Sequence, residues 1–137
     1  MPISNIKCSA DGKYVLFSSV ESRQVFILSQ SASDGFQVLG FIEFDAKVCS
    51  AEFVKHNGEI KLIAVLSNNL LGAAAIPTKP AANRMIPIPR EQAGIRYRKI
   101  DKGSQLAISN EALEDHIFVT GEDKLLKKYE FPEQLID

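Results

Sequence analysis

The chain contains no tryptophan, and its 137 residues include only two cysteines and two histidines. Each shortage argues against a class of protein. Cys8 and Cys49 stand far apart and form no Cys-x-x-Cys pattern, so neither a disulfide-stapled secreted scaffold nor a thiolate metal site is expected, and both thiols read as reduced. His56 falls in a turn and His116 opens a strand, with no further histidine or cysteine at ligand spacing, so no metal centre is expected either. Neither Gly-x-Gly-x-x-Gly nor Gly-x-x-x-x-Gly-Lys-Ser/Thr occurs, which removes the usual phosphate cradles, and no cofactor is expected. No Asn-x-Ser/Thr sequon is present. Lys7 and Asp11 occupy the region where a secretory signal needs an apolar run, and the longest apolar stretch, Leu70–Pro77, falls far short of the roughly 20 residues of a membrane-spanning helix. Charge of one sign is lacking too. Sixteen basic side chains face 17 acidic ones for a net charge of −1, which leaves no long-range attraction to nucleic acid or an anionic membrane. The expectation is a cytoplasmic protein whose partners are other proteins, with no membrane contact and nucleic acid a poor partner.

What is there is a chain 45% hydrophobic and 24% charged, the balance of a globular protein with a real core, laid out as short apolar runs between turns. Lys13–Ser19 and Gln24–Leu28, crowded with β-branched and aromatic residues, flank the polar Val20–Arg23 and predict a hairpin. Phe36–Phe44 is a further strand, interrupted by Gly40. In Val48–Val54, strict alternation puts Val48, Ser50, Glu52 and Val54 on one face and Cys49, Ala51 and Phe53 on the other. His56-Asn57-Gly58 predicts a tight turn. Lys61–Leu66 and Leu71–Ile76 form a second hairpin about Asn68–Leu70. Met85–Ile88 is at most an edge strand, because Pro87 has no N–H to donate. Gln105–Ser109, His116–Thr120 and Leu125–Phe131 make a third round, turning at Gly121–Lys124. Helical periodicity is absent; only Asn110–Asp115 or the last five residues are expected to form a single helical turn.

The windows Tyr14–Leu28, Leu62–Ile76 and Ile117–Phe131 each read strand, polar turn, strand, and their starts lie 48 and then 55 residues apart. An all-β repeat of this size predicts propeller blades. The expected fold is an all-β propeller segment of roughly three antiparallel blades, about 1–44, 45–89 and 90–137. The last blade is incomplete, since only Pro132–Asp137 follow its final hairpin. Propellers hold about four to eight blades, so the segment is expected to complete its ring with further blades or a partner chain.

Two segments resemble WD40 repeats. Ile6–Ser19 is similar to the first two strands of a WD40 blade, with Ser9, Asp11, Gly12, Lys13 and Tyr14 matching the usual Ser-Pro-Asp-Gly-Lys-Tyr link and Ala10 in place of its proline. Asp11 can accept from backbone amides there and Gly12 can take positive φ. Gly121–Glu130 resembles the closing Gly-x-Asp-x-x-Ile-Lys-x-Trp-Asp of a repeat. The resemblance makes Asp123 the aspartate that ties the hairpin turn to neighbouring strands and puts Tyr129-Glu130 at the Trp-Asp position. The Gly-His pair that opens many repeats is missing, and the middle round has Ala75-Ile76 where Trp-Asp would stand. A narrower resemblance, carried by Val38–Glu43, Thr120–Lys124 and Tyr129–Pro132, is to the large cilia- and flagella-associated WD-repeat proteins that tether inner-arm dynein, which would place the chain in the axoneme, a part of the cytoskeleton.

Residues with chemical potential are few. Ser4 and Lys7 have Ser-x-x-Lys spacing but enter a strand, not the helix start that serine acylation requires. Glu111, Glu114 and Asp115 read as a solvated loop before they read as paired catalytic carboxylates. The one charge bias is Arg84–Lys102, which holds Arg84, Arg90, Arg96, Arg98, Lys99 and Lys102 against Glu91 and Asp101. It reads as a solvated face or as a docking patch for an acidic protein, with Tyr97 as an anchor between two arginines. In a WD40-type blade the turns between second and third strands share one rim with the links between blades. That rim is expected to carry Glu21, Arg23, Asn68, Asn69, Asp123 and Lys124, together with Asp45, Lys47, Arg90 and Glu91. The functional expectation is a non-catalytic interaction scaffold. The alternatives are a propeller subunit of an RNA-modifying or other enzyme complex, a purely structural closing segment, and, for the fold, another propeller or a β-sandwich.

Overall fold

The computed structural model describes residues 3–9, 11–31, 35–56, 58–76, 86–100, 105–109, 116–120 and 126–129. Within them the chain is all-β, built from antiparallel strands that, inside each sheet, pair with their neighbours in sequence. The first sheet runs β1 (Asn5–Cys8), β2 (Tyr14–Ser18), β3 (Gln24–Ser31) and β4 (Gly35–Glu43). The second runs β5 (Val48–His56), β6 (Glu59–Leu66), β7 (Leu70–Ala75) and, after a helical turn α1 (Arg90–Ala93), β8 (Arg96–Lys99). The third runs β9 (Gln105–Ser109), β10 (His116–Thr120) and β11 (Leu126–Tyr129). The first two expected hairpins are the central pairs of their sheets and the third joins β10 to the edge strand β11, in registers Ser18 to Val25, Val65 to Leu71 and Thr120 to Leu126.

The second sheet lies between the other two. On one face Leu62, Ala64 and Leu66 of β6 join Ala51, Phe53 and Ala74 of their own sheet against Leu16, Val25, Ile27 and Ile42 of the first. On the other face Ile63 and Val65 join Val54, Leu71 and Ala73 against Ile117 and Val119 of the third. A strand buried on both faces reads as an unbroken apolar run because no position on it meets water. This explains why Leu62–Leu66 shows no alternation. The sheets approach most closely at their leading strands: β5 packs beside β1 and β2, and β9 beside β5 and β6.

Several expectations are corrected. Strict alternation along β5 fails because Val48 pairs with Leu66 while Ser50 pairs with Val65, leaving Cys49 as the extra residue of a bulge. A bulge shifts the face sequence by one, so Val48 joins Ala51 and Phe53 in the core against the first sheet and Cys49 turns to the other side. The second sheet does not end near residue 89: it gains its fourth strand at Arg96–Lys99. The helical turn at Arg90–Ala93 was not expected. Pro89 starts it, its carbonyl accepting from the Gln92 and Ala93 amides at 3.0 Å each, and four residues are too few for helical period to register. The turns expected at Asn110–Asp115 and in the last five residues lie outside the described residues.

Gly40 marks a second bulge, between the pairs Ile27–Gly40 and Leu28–Val38. The main chain of Ile86 approaches so closely there that a Cβ on residue 40 would stand 2.5 Å from the Ile86 carbonyl oxygen. That approach lets Ile86 accept from the Phe41 amide at 3.0 Å and Ile88 donate to the Phe41 carbonyl at 2.8 Å, with Pro87 between them at a parallel bridge. The expectation of an edge position for Pro87 fits this arrangement. The β7–β8 connection thus returns to the outer edge of the first sheet, where Ile88, Ala93 and Tyr97 enter the core beside Leu39 and Phe44.

Gly72 is a second point of close approach in that core. A Cβ there would lie 2.9 Å from two carbons of the Phe44 ring, and Phe44 is only 1% exposed, so the ring has nowhere to go. Gly72→Ala is expected to destabilise the protein by about 1–3 kcal/mol through overpacking. The check is a urea titration, in which an unchanged midpoint would contradict this packing.

Candidate functional site

One end of the sheets is tied into a continuous rim by backbone hydrogen bonds. In the β2–β3 turn the Ser22 amide donates to Ser19 carbonyl at 3.0 Å, and the side chains of Ser19 and Ser22 accept from the Glu21 and Gln24 amides at 3.2 and 3.0 Å. Short hydroxyls that bond local amides hold a turn without needing regular structure. The link from β4 to β5 docks on this turn: the Phe44 amide donates to Arg23 carbonyl at 2.8 Å and the Val48 amide to Ser22 carbonyl at 2.9 Å. The next turn docks on the link, Ser67 donating to Lys47 carbonyl at 2.9 Å. The chain leaving β8 docks on that turn, Ile100 donating to Asn69 carbonyl at 3.0 Å. Asn69 takes a φ of 62°, which asparagine tolerates better than most residues.

The rim brings together most of the residues expected there. Glu21, Arg23, Asp45, Lys47, Asn68 and Asn69 are all exposed along it, on a backbone held by the bonds just described. Arg90 and Glu91 do not belong to it. They sit in α1, inside the β7–β8 connection, which leaves β7 at the end remote from Asn69, and not in a link between sheets. Gly121, Asp123 and Lys124, like Arg84 and Lys102, lie outside the described residues; Tyr129 is placed on β11, opposite Ile117 of β10.

The basic strand β8 divides by face. Arg98 and Lys99 are exposed and Arg96 is half-buried, whereas Tyr97 is only 7% exposed and packs in the core. Tyr97 is therefore no surface anchor. Its hydroxyl accepts from the Asp45 amide at 3.2 Å, and its ring covers Gly72, so it fastens the rim link to the second sheet. Alternation along Arg96-Tyr97-Arg98 carried that signal, since a strand that shows two arginines to water turns the residue between them inward. Ser19 and Ser22, which hold the first rim turn, gave no comparable signal.

At the opposite end of the first sheet, the loop between β1 and β2 has the arrangement expected of Asp11 and Gly12. The Asp11 carboxylate accepts from the Ser9 hydroxyl at 2.6 Å and from the Lys13 amide at 3.0 Å. The Ser9 hydroxyl accepts from the Tyr14 amide at 3.1 Å, and Gly12 sits at φ 74°. The Ser9 bond first, and the Lys13 amide second, hold the Asp11 carboxyl below its ordinary value. Ser4 and Lys7 are not brought together as a catalytic pair: the Ser4 hydroxyl accepts from the Val20 amide at 2.8 Å, while the Lys7 amine reaches Glu52 of β5 at 3.5 Å. Among the described residues no three His, Cys, Asp or Glu side chains gather where they would hold a metal, and no helix is long and apolar enough to cross a membrane. No family model matches the chain and no curated protein matches it.

Two outcomes are expected from these assignments. Tyr97→Phe removes an acceptor from the Asp45 amide and should lower stability by about 1 kcal/mol, whereas Arg98→Ala, on an exposed edge, should change it by less than about 0.5 kcal/mol; paired urea midpoints check the contrast. For Asp11, folding lowers the carboxyl pKa, so its contribution is complete above the unfolded value and is lost as the pH falls through the lower folded one. Asp11→Asn should therefore melt below the parent protein at neutral pH, with the gap closing as the pH drops below the ordinary value of 3.8. A gap constant across that range would contradict the assignment.

Proposed function

We propose that the chain is a non-catalytic protein-interaction scaffold: three blades of a WD40-type β-propeller whose turn-and-link rim docks other proteins in a multiprotein assembly. The rim is the observation that carries this reading. Loops fixed on a rigid sheet are where recognition residues concentrate, and here both the turns and the links of successive sheets fall at one end and are cross-bonded to each other. The rim shows charges of both signs, Glu21 and Asp45 beside Arg23 and Lys47. Next to it the exposed Arg98 and Lys99 add a cationic margin, which suits a partner with an acidic face. The same charges on the outermost strand also discourage edge-to-edge pairing. The motif at Ser9–Tyr14 supports the WD40 assignment, because its turn has the geometry that such a link requires. The likeness of Val38–Glu43 and Tyr129–Pro132 to cilia- and flagella-associated WD-repeat proteins favours the axoneme as the assembly.

Co-purification with a tagged chain identifies the partner, and charge reversal then tests the rim. Arg98→Glu and Lys99→Glu should slow association about tenfold at low salt, with the difference from the parent shrinking at high salt. Melting temperature should stay unchanged. Identical association rates for parent and both variants at every salt concentration would contradict docking at this margin.

A further inference from the structure

We draw no further inference here: the strongest candidate, the apolar face of the first sheet along the row Ile6, Phe17, Phe26 and Phe41, carries nothing because nothing in the structure shows what covers it.

Discussion

The second sheet meets protein on both faces, and the rest of the arrangement follows from that. Its central strand sends Leu62, Ala64 and Leu66 toward the first sheet and Ile63 and Val65 toward the third, all at most 1% exposed. Burial at this density removes water from the backbone of β6 as well as from its side chains, so β5 and β7 must satisfy every amide between them. Gly72 on β7, with no side chain on that face, lets Phe44 and Tyr97 close over the strand. The wedge that opens between the first two sheets is filled by α1 and Ile88, supplied by the long connection between β7 and β8. An apolar core that spans two sheets fixes their relative position, and with it the position of the turns at their ends.

The rim inherits its rigidity from that core. The link from β4 to β5 is bonded to the turn of the first sheet and serves as acceptor for the turn of the second, and the chain leaving β8 is bonded to that second turn in the same way. Tyr97 adds a side-chain strut from the second sheet to the link. A surface of charged and amide side chains on such a base is what the proposed docking of a partner requires.

Much of this was legible in the residues. Three hairpins and the turns of the first two follow from β-branched and aromatic runs broken by short polar segments, and the Ser9–Tyr14 segment announced its turn through a carboxylate placed to take two local hydrogen bonds. The parts that were not legible have specific causes. The bulge at Cys49 inserts one residue into β5 and reverses the face of Val48, an event with no mark in the composition. Arg90–Ala93 is too short for period to show. Arg96–Lys99 reads as a charge cluster, since an outermost strand can be charged on one face and owes its place to pairing with β7 and to one buried tyrosine. For the site, Arg23 and Asn69 were found because turn residues are recognisable as such. Tyr97 resembles an interface anchor by its ring and its flanking arginines, and only its parity on the strand turns it inward.

Hydrogen exchange of the main-chain amides, followed strand by strand in the native protein, tests the double burial of the second sheet most directly. The β6 amides of Leu62–Leu66 are expected to exchange slowest of all and only through global unfolding, more slowly than those of Phe41–Glu43 at the outer edge of the first sheet. Exchange of β6 as fast as that outer edge, by a local opening insensitive to Gly72→Ala, would contradict the account.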